Sequence, residues 1–256
     1  MALQSPLKDP PLRLPGQSLD EEISQWQNER IINYFIAASS FFMLAVMEWL
    51  GYLSHAPRQP IVFSVCAALA ITGLVWRVIY IRRKLRPLKL GLHGERVVGQ
   101  FLEGFRSRGG RVFHDVPGEG FNIDHVLICP QGIFAIETKT WSLPWPTAKV
   151  VNREGKLLKA GLAPERDPVT QVSAAARWLQ DILNRETGCR FEIRGVVAVP
   201  GWTVDTALEH GTVCVIEPKQ LPDYIGSQTI VLSPMEVRKS AFKLSRYIRH
   251  TYKNHS

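Results

Sequence analysis

Asp124, Glu137 and Lys139 lie within the stretch FNIDHVLICPQGIFAIETKTW (residues 121–141), which otherwise has the pattern of two apolar strands joined by a Pro-Gln-Gly turn. Charges in such strands are costly to desolvate unless they are paired or hold a metal. Alternate residues of a strand share a face, so Ala135, Glu137 and Lys139 point one way and Phe134, Ile136 and Thr138 the other. A two-residue Pro130-Gln131 loop sets Asp124 directly opposite Glu137. A three-residue loop with Gly132 in a bulge moves the register by one and turns Asp124 toward the face of Thr138. Both registers are open. With the acids facing, two carboxylates converge beside a lysine, a donor set that suits Mg2+ or Mn2+, since Mg2+ favours one or two carboxylates plus waters. Such an ion polarises a phosphoryl oxygen and lowers the pKa of a bound water, and the lysine orients that water or neutralises charge on the phosphate. The competing reading is a buried structural ion pair of Lys139 with Glu137 or Asp124.

The elements that must position these residues follow the periodicity. GLHGERVVGQFLEGF is helical, with Val98, Phe101, Leu102 and Phe105 on one stripe and Glu95 on the same side, where an apolar residue is expected. Glu154-Gly155 suggests a further strand turn. DPVTQVSAAARWLQDILNRETG is a helix with Pro168 in its first turn and Gly188 past its end. FEIRGVVAVP and GTVCVIE are apolar strands, and SPMEVRKSAFKLSRYIRHTYK is a basic closing helix. The order predicts an α/β fold, a mixed β-sheet flanked by helices, over residues 90–256.

The amino-terminal part differs. Residues 1–30 are expected to form a cytosolic tail, Pro-rich and polar over 1–17 and then helical through SLDEEISQWQNER, where Ser18 and Glu21 resemble a capping box. Residues 31–83 hold two apolar runs, 31–53 and 61–81, each close to the ~20 residues that span a bilayer. Trp49, Tyr52, Trp76 and Tyr80 sit toward the run ends. Arg82, Arg83, Lys84, Arg86 and Lys89 follow the second run, against Arg58 alone in the connecting loop, so the positive-inside bias predicts a multi-pass inner-membrane protein with both termini cytosolic. The competing reading is a buried helical hairpin of a soluble protein. An excess of 31 Lys+Arg over 23 Asp+Glu, net +8, suits an anionic partner, a nucleic acid or an acidic lipid membrane. Cys66, Cys129, Cys189 and Cys214 show no metal-site spacing and are expected to be reduced thiols.

GERVVGQFLEGF, FHDV, NIDHVLICPQGIFAIETKT and DPVTQV, in that order over roughly Gly91 to Val199, resemble the nuclease-related domain, NERD, placed in the PD-(D/E)XK nuclease superfamily. The resemblance implies a restriction-endonuclease-like fold and a Mg2+-dependent nuclease acting on nucleic acid, DNA foremost. It assigns metal binding to Asp124 and Glu137, a catalytic lysine to Lys139, and supporting roles to Glu95 and Gln171. Asp167-Pro168 stands where the family carries Asn-Pro. Trp141 and Trp145 are candidates either for base stacking or for core packing. Arg238, Lys239, Lys243, Arg246, Arg249 and Lys253 are candidates for phosphate contacts, for lipid contacts or for a solvated face. The alternatives to a nuclease are a catalytically inert nucleic-acid- or protein-binding module and a membrane-assembly protein joined through Asn33 or Glu48.

Overall fold

The computed structural model describes residues 12–28, 32–53, 60–142, 149–153, 156–159, 161–162, 164–204, 208–210 and 213–255. The chain divides into two compact units, one of Met1–Gln17 with Leu90–Ser256, the other of Ser18–Lys89.

The smaller unit is helical: α1 (Gln17–Asn28), α2 (Ile32–Leu53) and the first part of α3 (Pro60–Glu103). Helix α1 begins at Gln17, so Ser18 lies inside it, and the Gln17 side chain instead accepts from the Leu14 N–H at 3.1 Å. Two helices are long and apolar enough to cross a membrane, α2 and the one starting at Pro60. Their large side chains are exposed, Phe35 at 62%, Met43 at 61% and Leu69 at 69%, whereas a soluble core helix buries such residues. Arg58 and the rest of residues 54–59 lie outside the described residues. The Trp49 indole N–H donates to Ser64 Oγ at 2.9 Å. A cavity of about 530 Å3 in this unit, between Phe42, Trp49 and Ile71, is lined by no titratable side chain.

Helix α3 departs from expectation. The second apolar run and the helix that opens the globular part are one continuous element, with Pro87 inside it. A proline ring removes one i→i−4 hydrogen bond and strains the turn before it, but it does not force a stop when both flanks are strongly helical.

In the larger unit α3 ends beside β1 (Arg111–Pro117), β2 (Asn122–Cys129) and β3 (Gly132–Thr138). There follow β4 (Lys149–Arg153), β5 (Lys156–Lys159), α4 (Pro168–Thr187), β6 (Ile193–Ala198), β7 (Thr203–Val204), β8 (Leu208–His210), β9 (Val213–Ile216), α5 (Leu221–Gly226) and α6 (Pro234–His255). Six strands form a mixed sheet in the order β1-β2-β3-β6-β9-β8, parallel through β3, β6 and β9 and antiparallel elsewhere. A second sheet has the order β5-β4-β7. The fold class is therefore the expected α/β, with a mixed sheet flanked by helices. The Glu154-Gly155 turn lies outside the described residues.

Each face of the main sheet buries its own layer. Ile133 and Ala135 pack with Val172, Leu179 and Leu183 of α4 and Leu244 of α6. Phe134 and Ile136 pack with Val98 and Leu102 of α3 and Leu221 of α5. Phe101, expected on the buried stripe, is 37% exposed. At about 100° per residue it stands some 60° round from Val98, on the margin of the stripe that Val98, Leu102 and Phe105 fill. Helix α4 starts as its sequence dictates: the Asp167 carboxylate accepts from the N–H groups of Val169 and Thr170, Pro168 follows, and Gly188 closes the helix at φ 70°. All four cysteines are free.

Candidate active site

The β2–β3 ladder pairs Cys129 with Gly132 and continues to His125 opposite Ile136, so the loop is the two residues Pro130-Gln131. Gly132 takes φ 136°, a conformation that favours glycine. One step further along this register Asp124 stands opposite Glu137. The ladder stops just before that step, and the Thr138 N–H donates instead to Asp124 Oδ2 at 2.7 Å. The Lys139 N–H donates to the Ala198 carbonyl at 2.9 Å, so β3 keeps its partner β6 while it parts from β2. A carboxylate thereby satisfies the backbone donor that the parting strands release.

A third acid joins the row. The β1–β2 pairs His114–His125 and Val116–Ile123 bracket Asp115 opposite Asp124. Asp115 is 2% exposed and has φ 50°, alone among the described non-glycine residues in being positive. That conformation interrupts the alternation of β1: Phe113 and Val116, three residues apart, both pack into the α4–α6 layer. Strain of this kind is stored where the surroundings hold it in place. Here Asp115 Oδ1 accepts from Asn122 Nδ2 at 2.8 Å, Oδ2 pairs with Arg13 Nη1 at 2.5 Å, and its carbonyl accepts from the Tyr252 hydroxyl at 2.9 Å. Asp115, Asn122 and Arg13 were not singled out from sequence. An acid among the valines and phenylalanine of RVFHDV is the same kind of signal that marks Asp124.

Glu95 approaches from α3 and is buried. Burial, then the charges of Asp115 and Glu137, push its carboxyl up to about 7, against the opposing pull of Lys139 and a hydrogen bond from the Gly16 backbone. Asp124 is held well above the ordinary carboxylate range by burial, then by Glu137 and Glu95. Lys139 Nζ pairs with Glu137 Oε1 at 2.6 Å. Asp124, Glu137, Glu95 and Lys139 therefore share one electrostatic neighbourhood. Gln171, in the first turn of α4, makes no described side-chain bond to them, and its Oε1 is buried without a partner. Residues 12–16 cross α3 beside this cluster. The Arg13 guanidinium lies 4.6 Å from the Tyr252 ring centre, and a Cβ on Gly99 would come within 2.7 Å of Pro15 Cγ.

Gly94 precedes Glu95 for a steric reason. A Cβ there would stand 1.9 Å from Thr140 Oγ1, one residue past Lys139. Gly94→Ala should lower stability by about 1–3 kcal/mol, the usual cost of overpacking. Chemical denaturation of the two proteins checks this.

His125 and Trp141 pack with partners other than the acids. His125 is fully buried, with Nδ1 2.8 Å from His114 Nδ1, and His114 Nε2 lies 3.0 Å from Glu103 Oε1. Burial holds both imidazoles below their usual pKa, His125 well below. Trp141 packs edge-on against Trp202 at 5.9 Å, and its carbonyl accepts from the Trp202 indole at 3.1 Å. Trp145 and the Lys253 side chain lie outside the described residues. On α6, Arg238, Lys239 and Arg246 are exposed, Lys243 Nζ is 3.7 Å from Glu186, and Arg249 is half-buried.

The donor chemistry fits a hard divalent ion held by two protein oxygens and otherwise by water. Asp124 and Glu137, each with one oxygen in a described contact, could hold it, whereas both Asp115 oxygens are engaged. Among the described residues no three His, Cys, Asp or Glu side chains stand at metal-ligand spacing, so a closed, all-protein cage is not formed.

Compared with known proteins, residues 90–200 match the family model described as NERD, nuclease-related domain. That range contains Glu95, Asp115, Asp124, Glu137, Lys139 and Gln171. No curated protein and no solved structure matches the chain.

Proposed function

With a nuclease-related domain over residues 90–200 as the premise, we propose that the globular unit is a Mg2+- or Mn2+-dependent nuclease hydrolysing phosphodiester bonds of nucleic acid, DNA foremost. In this reading the two apolar helices anchor it in the inner membrane, with both termini and the domain in the cytosol. The observation that carries the proposal is the two-residue β2–β3 loop, whose register brings Asp124 to Glu137 with Lys139 bonded beside them.

Asp124 and Glu137 would hold the ion, which when bound polarises the scissile phosphate and acidifies a water. The chain's own groups supply the rest. Lys139 Nζ, 2.6 Å from Glu137, places a positive charge where charge builds on the phosphate. Glu95, with a carboxyl poised at about 7, accepts or returns a proton near neutral pH. The unpartnered Gln171 Oε1 is an acceptor for a water or a sugar hydroxyl. Full-length protein in detergent, given labelled single- and double-stranded DNA and RNA with Mg2+, is expected to cleave at least one of them. Lys139→Ala should lower the rate by about 100- to 1000-fold, and Asp124→Asn should abolish it. Wild-type turnover in both variants would sink the nuclease reading.

A catalytically inert nucleic-acid- or protein-binding module is favoured by one observation, that Lys139 is already locked to Glu137 in a short ion pair. Nucleic-acid binding without cleavage under Mg2+ and Mn2+ alike selects it.

A further inference from the structure

A basic site lies away from the acid row. A cavity of about 280 Å3 between β1 and α6 is lined by Arg106, Arg111, Arg238, Phe113, Phe242 and Leu12, among others, and by no acidic side chain. Its volume is near the lower end for small-ligand sites, about 300 Å3. Arg106 is held in place by Glu103 and by the Val112 carbonyl, which accepts from its Nη2 at 2.9 Å. Arg111 donates to the Gly110 carbonyl at 3.1 Å, and Arg238 is exposed. One wall is the edge strand of the sheet, since among the described residues β1 pairs with β2 alone.

Phe242 gives the site its second chemistry. It is 64% exposed on α6, with Arg238 one turn before it and Arg246 one turn after, on the same helix face. An aromatic ring left in water between guanidinium groups adds nothing to the core. Rings beside a cationic groove are how single-stranded nucleic acid is held, the base stacking on the ring and the phosphate meeting the cations. A duplex keeps its base faces stacked on one another and offers none to Phe242. Along β1, Arg111 and Asp115 are four residues apart, about 13 Å at the strand rise, so a strand gripped in the cavity stays within a few nucleotides of the acids.

We propose that this cavity is a single-strand subsite, in which Arg111 and Arg238 hold a phosphate and Phe242 stacks on the adjoining base. The assignment rests on the nuclease reading for its substrate class, but its test needs no cleavage. Full-length protein in detergent with EDTA is titrated into dye-labelled oligothymidylate, as a single strand and annealed to its complement, and anisotropy is followed. The single strand is expected to bind more tightly than the duplex. Phe242→Ala should weaken it about fivefold or more, Phe242→Trp should bind as well as wild type or better, and Arg238→Glu should weaken it and flatten the salt dependence. Both side chains are exposed, and circular dichroism confirms that the variants fold. Equal binding of strand and duplex, an unchanged affinity in Phe242→Ala, or no binding by the wild type each overturns the subsite. If the strand binds with the expected signature and is not cut when Mg2+ is added, the nuclease reading fails while the subsite stands.

Discussion

Replacing Glu95 by Gln should make the metal-free protein more stable near pH 8, by on the order of 3 kcal/mol, while removing most of its activity. The size follows from a carboxyl raised from 4.5 to about 7 in the folded chain, at about 1.4 kcal/mol per unit. The folded pKa lies above the unfolded one, so the folded state holds the proton more tightly. Stability is therefore full below 4.5, falls as pH rises from 4.5 through about 7, and is flat above that. Glutamine carries no such charge, so wild type and variant should have similar stabilities at pH 4 and separate steadily toward neutrality. Asp124, also raised, adds a loss of the same sign in the wild type. Millimolar Mg2+ should return stability to the wild type by binding the folded state alone, and less to the variant. Denaturation midpoints at several pH values, with and without Mg2+, measure all of this. Coincident curves at every pH would mean that neither burial nor the neighbouring acids raise the Glu95 carboxyl. A residue that costs stability and is nevertheless present is what a working site requires.

The second large effect is expected at Arg13. Its guanidinium pairs with Asp115 at 2.5 Å, and the two side chains are 17% and 3% exposed. Truncating one partner of a buried pair strands the other charge, at a typical cost of about 3–5 kcal/mol. Arg13→Ala should fall in that range. The double change of Arg13→Ala with Asp115→Asn should recover a large part, because the stranded charge is gone and Asn can still meet Asn122. A double-mutant cycle on unfolding free energies reads the coupling directly. Additive losses from the two single changes would show that the contact contributes little.

The chemistry at Asp124, Glu137 and Lys139 was legible because charge is conspicuous in strands that are otherwise apolar. Their mutual placement was not, since a two-residue and a three-residue loop suit Pro130-Gln131-Gly132 equally well, and only the φ of Gly132 with the Cys129–Gly132 pair decides. Helices α4 and α6 followed from period and punctuation. The continuity of α3 did not, because Pro87 ordinarily ends a helix and the change in composition at Leu90 resembles a boundary. Strands β7 and β8, of two and three residues, are too short to carry any period. Arg13 was hidden by its setting, a Pro-rich tail without a hydrophobic pattern, although its contact with Asp115 spans 102 residues.

The strap at residues 12–16 bears on how the chain came to be joined. A Cβ on Gly16 would crowd Leu92 and meet Glu95, so the chain leaves the globular unit at Gln17 close to where it resumes it at Leu90. Topologically the helical unit Ser18–Lys89 is an insertion into a domain, and its removal is an excision with two ends. Cutting the protein at residue 89 to obtain a soluble fragment discards Arg13 along with that unit and exposes a buried acid. Splicing residue 17 to residue 90 through a short Gly-Ser bridge keeps every strap contact, and the spliced protein is expected to outlast the simple truncation on heating.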